Sequence, residues 1–145
     1  MIPIKDGKVS CPYGKHGTAW SHGIHKGIDY ACPAGTSVVA AADGKVTGIG
    51  SWGSAFGKES VIIKHDVEGH SYYAIYAHLS KALVKVGDLV KIGQEIGKSG
   101  GRVDTPEHKK HDGNTTGPHL HFEVLKQANW SPFAHIPPDV LLNCN

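Results

Sequence analysis

The sequence places a His-Leu-His run at 119–121 and a His-Lys-Gly-Ile-Asp run at 25–29. In an extended segment, residues two apart share a face. His119 and His121 therefore point together, with Glu123 beyond, while Leu120, Phe122 and Val124 turn to the other face as core. Two imidazoles side by side can ligate a metal, or one can ligate while its neighbour touches what the metal holds. A polar strand face with two unrelated histidines is the plain alternative. His25 and Asp29 offer an imidazole nitrogen and a carboxylate oxygen, both good zinc ligands. Their separation of four puts them on one face, and Gly27 favours an extended segment there. The plain alternative is a surface His–Asp hydrogen bond. A third segment ends on His78. Jointly these segments supply enough nitrogen and oxygen donors for a zinc site, with imidazoles to spare.

Such groups need a scaffold that brings distant stretches together. The chain has 145 residues, with 19 Gly, 11 His, 39% hydrophobic and 19% charged residues. That suits one ordinary domain with its own core. The net charge of +2 and the lack of a basic run give no argument for nucleic acid. No apolar stretch approaches ~18 residues, so no membrane span is expected. Residues 37–42 and 45–49 around Asp43-Gly44 predict a hairpin, and 59–65 with 71–78 around Glu68-Gly69 predict a second. Residues 84–96 and 119–126 alternate as strands do. No window carries a helical stripe of ten or more residues. The fold class is therefore all-β, mostly antiparallel, a single domain. Residues 50–57 and 99–117 read as loops, the second long for a compact domain. Residues 1–22 read as an irregular lead-in, and Pro137-Pro138 as the end of regular structure. The implied division is 1–22, a domain at 23–137, and a tail at 138–145. Cys11, Cys32 and Cys144 are an odd set, so complete internal pairing is ruled out. Free thiols are expected, with Cys11–Cys32 as the bridge an oxidising compartment would permit.

The stretches HKGIDY (25–30), PAGTSVVAAADGKV (33–46), YAHLS (76–80), VGDLVKIGQEIGKSG (86–100) and TGPHLHFEV (116–124) occur in that order. Together they resemble the lysostaphin-type, LytM-like zinc endopeptidases, which cleave peptide bonds in bacterial peptidoglycan. The resemblance implies a curved antiparallel sheet flanking a groove walled by loops. It implies Zn2+ held by His25, Asp29 and His121, with His78 and His119 as catalytic histidines beside it. The implied substrate is the peptide cross-links of the bacterial cell wall, cut by a monomer. Three protein ligands leave the open position that catalytic zinc requires. No HExxH glutamate is present, so a histidine must do the proton work. Which of His78 and His119 is the base stays open, as does the bond cleaved, a glycine bridge or a D-alanyl cross-link.

Residues 100–116 form a longer loop than this family usually carries, bringing His108, His111 and Asp112. It reads as a groove wall or a solvated loop, with a second metal on His108 and His111 as the remote reading. Trp20, Trp52, Trp130 and the Tyr72/Tyr76 face are groove or core candidates. His16 and His22 precede the first motif without a blocking pro-segment, so an open site is expected. His65, His70 and His135 read as surface or structural. The N-terminus shows no secretory signal. This suits a phage endolysin or tail-associated lysin, or a piece of a longer secreted hydrolase. Two competing readings are a catalytically inactive cell-wall-binding or hydrolase-activating module and a lipoyl-type carrier. The first generally lacks the ligands present here; the second, drawn from 84–97, leaves the histidines unexplained.

Overall fold

The alternating runs become strands that pair antiparallel throughout the computed structural model, which describes residues 1–20 and 22–144. The strands are β1 (Lys8–Cys11), β2 (Ile28–Ala31), β3 (Ser37–Val39), β4 (Gly44–Ile49), β5 (Val61–Val67), β6 (His70–Ala77), β7 (Leu79–Ala82), β8 (Leu89–Val90), β9 (Glu95–Ser99), β10 (His119–Leu125) and β11 (His135–Ile136). Two short α-helices, α1 (Pro106–Asp112) and α2 (Asp139–Leu142), and a 3-10 turn at Ser54–Phe56 complete the set among the described residues. The larger sheet runs β1-β2-β10-β6-β5-β4-β8, with β11 beside β10, and a smaller sheet runs β3-β9-β7. The all-β, single-domain expectation holds.

Period-two alternation decides which face is core. Leu120, Phe122 and Val124 of β10 join Val61, Ile63, Ala74 and Tyr76 in one buried cluster, and Val38, Leu79 and Ile96 of the small sheet pack into it. Burying one large apolar side chain such as Leu120 or Phe122 contributes about 1.5–3 kcal/mol. Ile62, Ile75 and Ala77 point the other way and are covered by Trp52 and Phe56. The second expected hairpin forms. Glu68 and Gly69 both have positive φ, 51° and 81°, the backbone of a tight turn whose twist matches the strands it joins.

The other hairpin does not form. β3 pairs with β9, whereas β4 pairs with β5 and β8. Ala40, Ala41 and Ala42 are buried as the chain crosses between sheets. Asp43 is not a turn tip, because its Oδ1 accepts from Ile92 N at 2.8 Å. Likewise 84–96 is no single strand, since β8 and β9 belong to different sheets. The 99–117 segment is not all loop. Thr105 caps α1 by accepting from His108 N at 3.0 Å, with Pro106 in its first turn. Regular structure continues past Pro138, where Leu141 of α2 is fully buried. The lead-in contains β1, and Ile4 reaches the core. All three cysteines are free. Cys11 lies opposite Asp29, so Cys32 is roughly 10 Å along the ladder at ~3.3 Å per residue, beyond the ~7 Å Cα reach of a disulfide.

Candidate metal centre

β10 is the floor of the site. Its register sets His121 opposite Asp29 of β2 on one side and opposite Ala77 of β6 on the other. Gly27 lets β2 come this close, because a β-carbon there would meet the His121 ring at 2.7 Å. His25 precedes β2 and is held by the lead-in: its N–H donates to Lys15 O at 2.8 Å, and Trp20 stacks on its ring. His78 follows β6 with a φ of 61°, a conformation that residues other than glycine rarely adopt. Its N–H donates to Phe56 O at 2.8 Å. This backbone turn takes His78 off the Tyr76 face and brings its ring to 5.0 Å from that of His119 and 5.9 Å from that of His121.

Three imidazoles are fixed in the same sense. Nδ1–H donates to Pro12 O from His25 at 3.0 Å, to Asp112 O from His78 at 2.8 Å, and to Gly117 O from His119 at 2.7 Å. A carbonyl only accepts, so each neutral ring carries its lone pair on Nε2. His121 is reversed: its Nε2–H donates to Glu123 Oε1 at 2.9 Å and its Nδ1 meets Asp29 Oδ1 at 2.7 Å. Glu123 Oε2 accepts from Trp130 Nε1 at 2.7 Å. His25 Nε2 is 3.4 Å from both Asp29 Oδ1 and His121 Nδ1, and His119 Nε2 is 3.7 Å from Asp29 Oδ1.

The electrostatics call for a cation. For Asp29, burial would raise the pKa, but hydrogen bonds to His121 and His25 prevail and hold the carboxyl well below the usual range. For His121, burial would lower it, yet hydrogen bonds to Asp29 and Glu123 outweigh that and raise it to about 9. His121 thus lies between the Asp29 and Glu123 carboxylates, bonded to both. Burial, then the charge of His121, pushes His78 down to about 3, so it stays neutral. The donor set fits zinc. Ligand bonds of 2.0–2.1 Å give a tetrahedral edge of about 3.4 Å, the spacing found between His25 Nε2 and its two neighbours. The 2.7 Å edge is a proton-sharing contact, which ion binding releases.

All five residues singled out by sequence, His25, Asp29, His78, His119 and His121, converge here. His108 and His111 do not: their Nδ1 atoms pair with Asp104 Oδ1 and Asp112 Oδ1 at 2.8 and 2.6 Å. Trp20, Trp52 and Trp130 line a groove of about 900 Å³ around the cluster, with Phe56 and Lys26. Tyr76 does not, being fully buried with its OH bonded to Ala41 N and His65 Nε2; Tyr72 packs against the same core. His65 is structural, and burial pushes it down to about 4.

Sequence reasoning missed the positioning roles of three residues and the approach of a fourth. Glu123 fixes the orientation of His121, as carboxylates behind a liganding histidine do. Its place two residues on from His121 on the same strand face was the available signal. Pro12 fixes His25. Asp112, fully buried, fixes His78 through its carbonyl, while its carboxylate takes both Arg102 Nε at 2.9 Å and Arg102 Nη2 at 3.0 Å. Cys11 comes with its sulfur within 4.8 Å of donor atoms of His25 and Asp29. Nothing local in the sequence pointed to the last three.

The chain has similar sequences and folds among known proteins. Residues 23–132 match the sequence model of peptidase family M23. The chain is similar to the peptidoglycan DD-endopeptidase ShyC of Vibrio cholerae, 42% identical over 101 residues, 70% of this chain and 20% of that one. It superimposes on the catalytic domain of the antimicrobial peptidase lysostaphin from Staphylococcus simulans with a TM-score of 0.77 and 32% identity, covering 96% of this chain and 94% of that one. A zinc-containing peptidase from Vibrio cholerae gives a TM-score of 0.69 at 28% identity, over 99% of this chain and 39% of that one. The chain spans about a fifth to a quarter of the length of the curated relatives it matches first.

Proposed function

The chain belongs to peptidase family M23, and from that premise we propose that it is a zinc endopeptidase that hydrolyses peptide cross-links in bacterial peptidoglycan. One observation carries the reading: His25 Nε2, Asp29 Oδ1 and His121 Nδ1 lie within 3.4 Å of one another at the floor of an open groove. Those residues would hold zinc, which supplies a Lewis acid for the scissile carbonyl and a water made acidic enough to ionise near neutral pH.

The remaining work belongs to side chains. His119 and His78 face the cluster through Nε2, each with Nδ1–H spent on a carbonyl. A neutral ring in that tautomer accepts a proton at Nε2 from water and returns it to the leaving amine. The protonated ring donates instead to the oxygen that gains negative charge. His78, 5% exposed, is neutral in the resting site, so its Nε2 lone pair is available to accept a hydrogen bond or a proton. Trp20, Trp52, Phe56 and Trp130 supply apolar walls that exclude water and hold a peptide in place.

Metal content measured alongside clearing of purified cell walls tests the reading. Wild type is expected to bind about one zinc per chain, as a mononuclear site does, and to clear walls. His25→Ala and Asp29→Ala lose both properties, whereas His119→Ala keeps zinc and stops clearing. Wall clearing by His119→Ala at the wild-type rate would overturn the assignment.

A further inference from the structure

Lys26 sits between His25 and Gly27, lines the groove, and is only 7% exposed. Lysine is seldom buried to that degree without a carboxylate partner. Its ammonium stands over the Trp130 ring, 5.9 Å from the centre. The carboxylates that line the same groove are committed elsewhere. Glu123 accepts from His121 and Trp130 through its two oxygens, and Asp29 Oδ1 lies among the imidazoles. Among the described residues no carboxylate oxygen comes within 4.0 Å of Lys26 Nζ. The groove therefore holds a cation with an aromatic face beneath it and no anion of its own. The apolar walls around it, Trp20, Trp52 and Phe56, strengthen any charge pair formed there.

We propose that Lys26 is a carboxylate-binding subsite of the groove, so that the preferred substrate is a cross-link peptide carrying a free carboxylate beside the scissile bond. This rests on the endopeptidase reading and sharpens it. Lys26 lines the same groove as the donor cluster, and Trp130, over which its ammonium stands, bonds the Glu123 carboxylate that also holds His121, so the subsite adjoins the cluster. An ammonium in this setting makes a charge-assisted hydrogen bond to a carboxylate. A carboxamide of the same shape brings no charge, and an uncharged glycine bridge has nothing to place there. Lys26 is thus a specificity residue that favours D-alanyl cross-links to a diamino diacid over glycine bridges.

Two synthetic cross-link peptides, identical except for a carboxylate or a carboxamide on the residue that donates the scissile amide nitrogen, test this with the full zinc-loaded chain. Cleavage is followed as kcat/KM, and binding by calorimetry on a matched pair whose scissile amide is N-methylated. Wild type is expected to favour the acid over the amide about tenfold or more in both measurements, the usual worth of a hydrogen bond to a charged group. Lys26→Met brings both ratios to about one, and Lys26→Arg keeps the preference. Equal handling of acid and amide by wild type overturns the subsite and leaves the endopeptidase reading standing. Cleavage of neither peptide counts against that reading, and the binding ratio still decides Lys26. A Lys26→Met protein that keeps the acid preference but binds zinc more weakly would show that Lys26 only balances Glu123, and would also overturn the proposal.

Discussion

The two imidazoles that flank the donor cluster are held by different kinds of structure. His119 belongs to β10, and its anchors, Gly117 O and Thr115 Oγ1, lie two and four residues away. His78 sits between the two sheets at a φ of 61°, and its anchor, Asp112 O, lies 34 residues further along the chain. Asp112 is in turn clamped by Arg102. Around it the 99–117 segment is stitched to residues 55–58, with Lys58 N donating to His111 O and Asn114 N to Ala55 O, both at 2.8 Å. One side of the site is built by local strand geometry. The other depends on a long connection that had to fold into a helix and a buried ion pair. A site of this kind is expected to fail first at the wall.

The largest effect that would test this contrast comes from Arg102→Ala. It removes both guanidinium bonds to the Asp112 carboxylate, whose side chain is 0% exposed, leaving only His111 Nδ1 and the residue 102 N–H on it; hydrogen bonds to a charged group are worth about 1.5–3 kcal/mol each. Denaturant unfolding should record that loss. The rate of wall clearing should fall about a hundredfold as His78 shifts, with zinc content retained. An Arg102→Ala protein with wild-type stability and rate would mean that the wall does not position His78.

Next in size is a pH effect, because the wall and the core behind it enclose imidazoles that must stay neutral. His65, fully buried on β5, has a pKa lowered by burial from 6.5 to about 4. Between pH 6.5 and about 4 the unfolded chain takes a proton that folded His65 refuses, so stability falls as the pH drops through that window. The span corresponds to about 3 kcal/mol, and His78 adds in the same direction. His121 contributes oppositely: its raised pKa gives the metal-free fold stability that is full below pH 6.5 and lost as pH rises through about 9. Unfolding curves for wild type and His65→Gln across pH 4–7 isolate the first contribution. Parallel pH profiles for the two proteins would refute it.

The smallest effect is expected on the floor. Thr115→Ala removes the 3.1 Å contact to His119 Nδ1 but leaves the Gly117 carbonyl in place. A loss of about 1 kcal/mol or less and a rate change of a few fold should follow. A rate loss as large as that of Arg102→Ala would erase the distinction between floor and wall.

The same contrast explains what could be read from the sequence. Strand alternation through 119–124 gave the faces of His119, His121 and Phe122 directly, because a strand reports its own geometry every two residues. The Glu68-Gly69 turn was legible for the same local reason. The Asp43-Gly44 turn signal misled, since those residues serve a crossing between sheets and tertiary pairing of Gly44 with His65 and Val90 prevailed. The α1 helix has only seven residues, too few to show an apolar stripe, although Thr105-Pro106-Glu107 carries a helix-start pattern. The clamp of His78 by Asp112 and the hold of Pro12 on His25 are contacts between distant segments. No periodicity announces them.

The central claim is that two imidazoles and one carboxylate from β10, β2 and the turn before β2 hold a single zinc. X-ray absorption at the zinc edge, on the full chain loaded with one equivalent, tests it most directly. The account predicts two imidazole nitrogens with oxygen completing the shell, all at about 2.0–2.2 Å. A sulfur neighbour at about 2.3 Å, which among the described residues near the cluster Cys11 is placed to provide, or the absence of imidazole scattering, would contradict it.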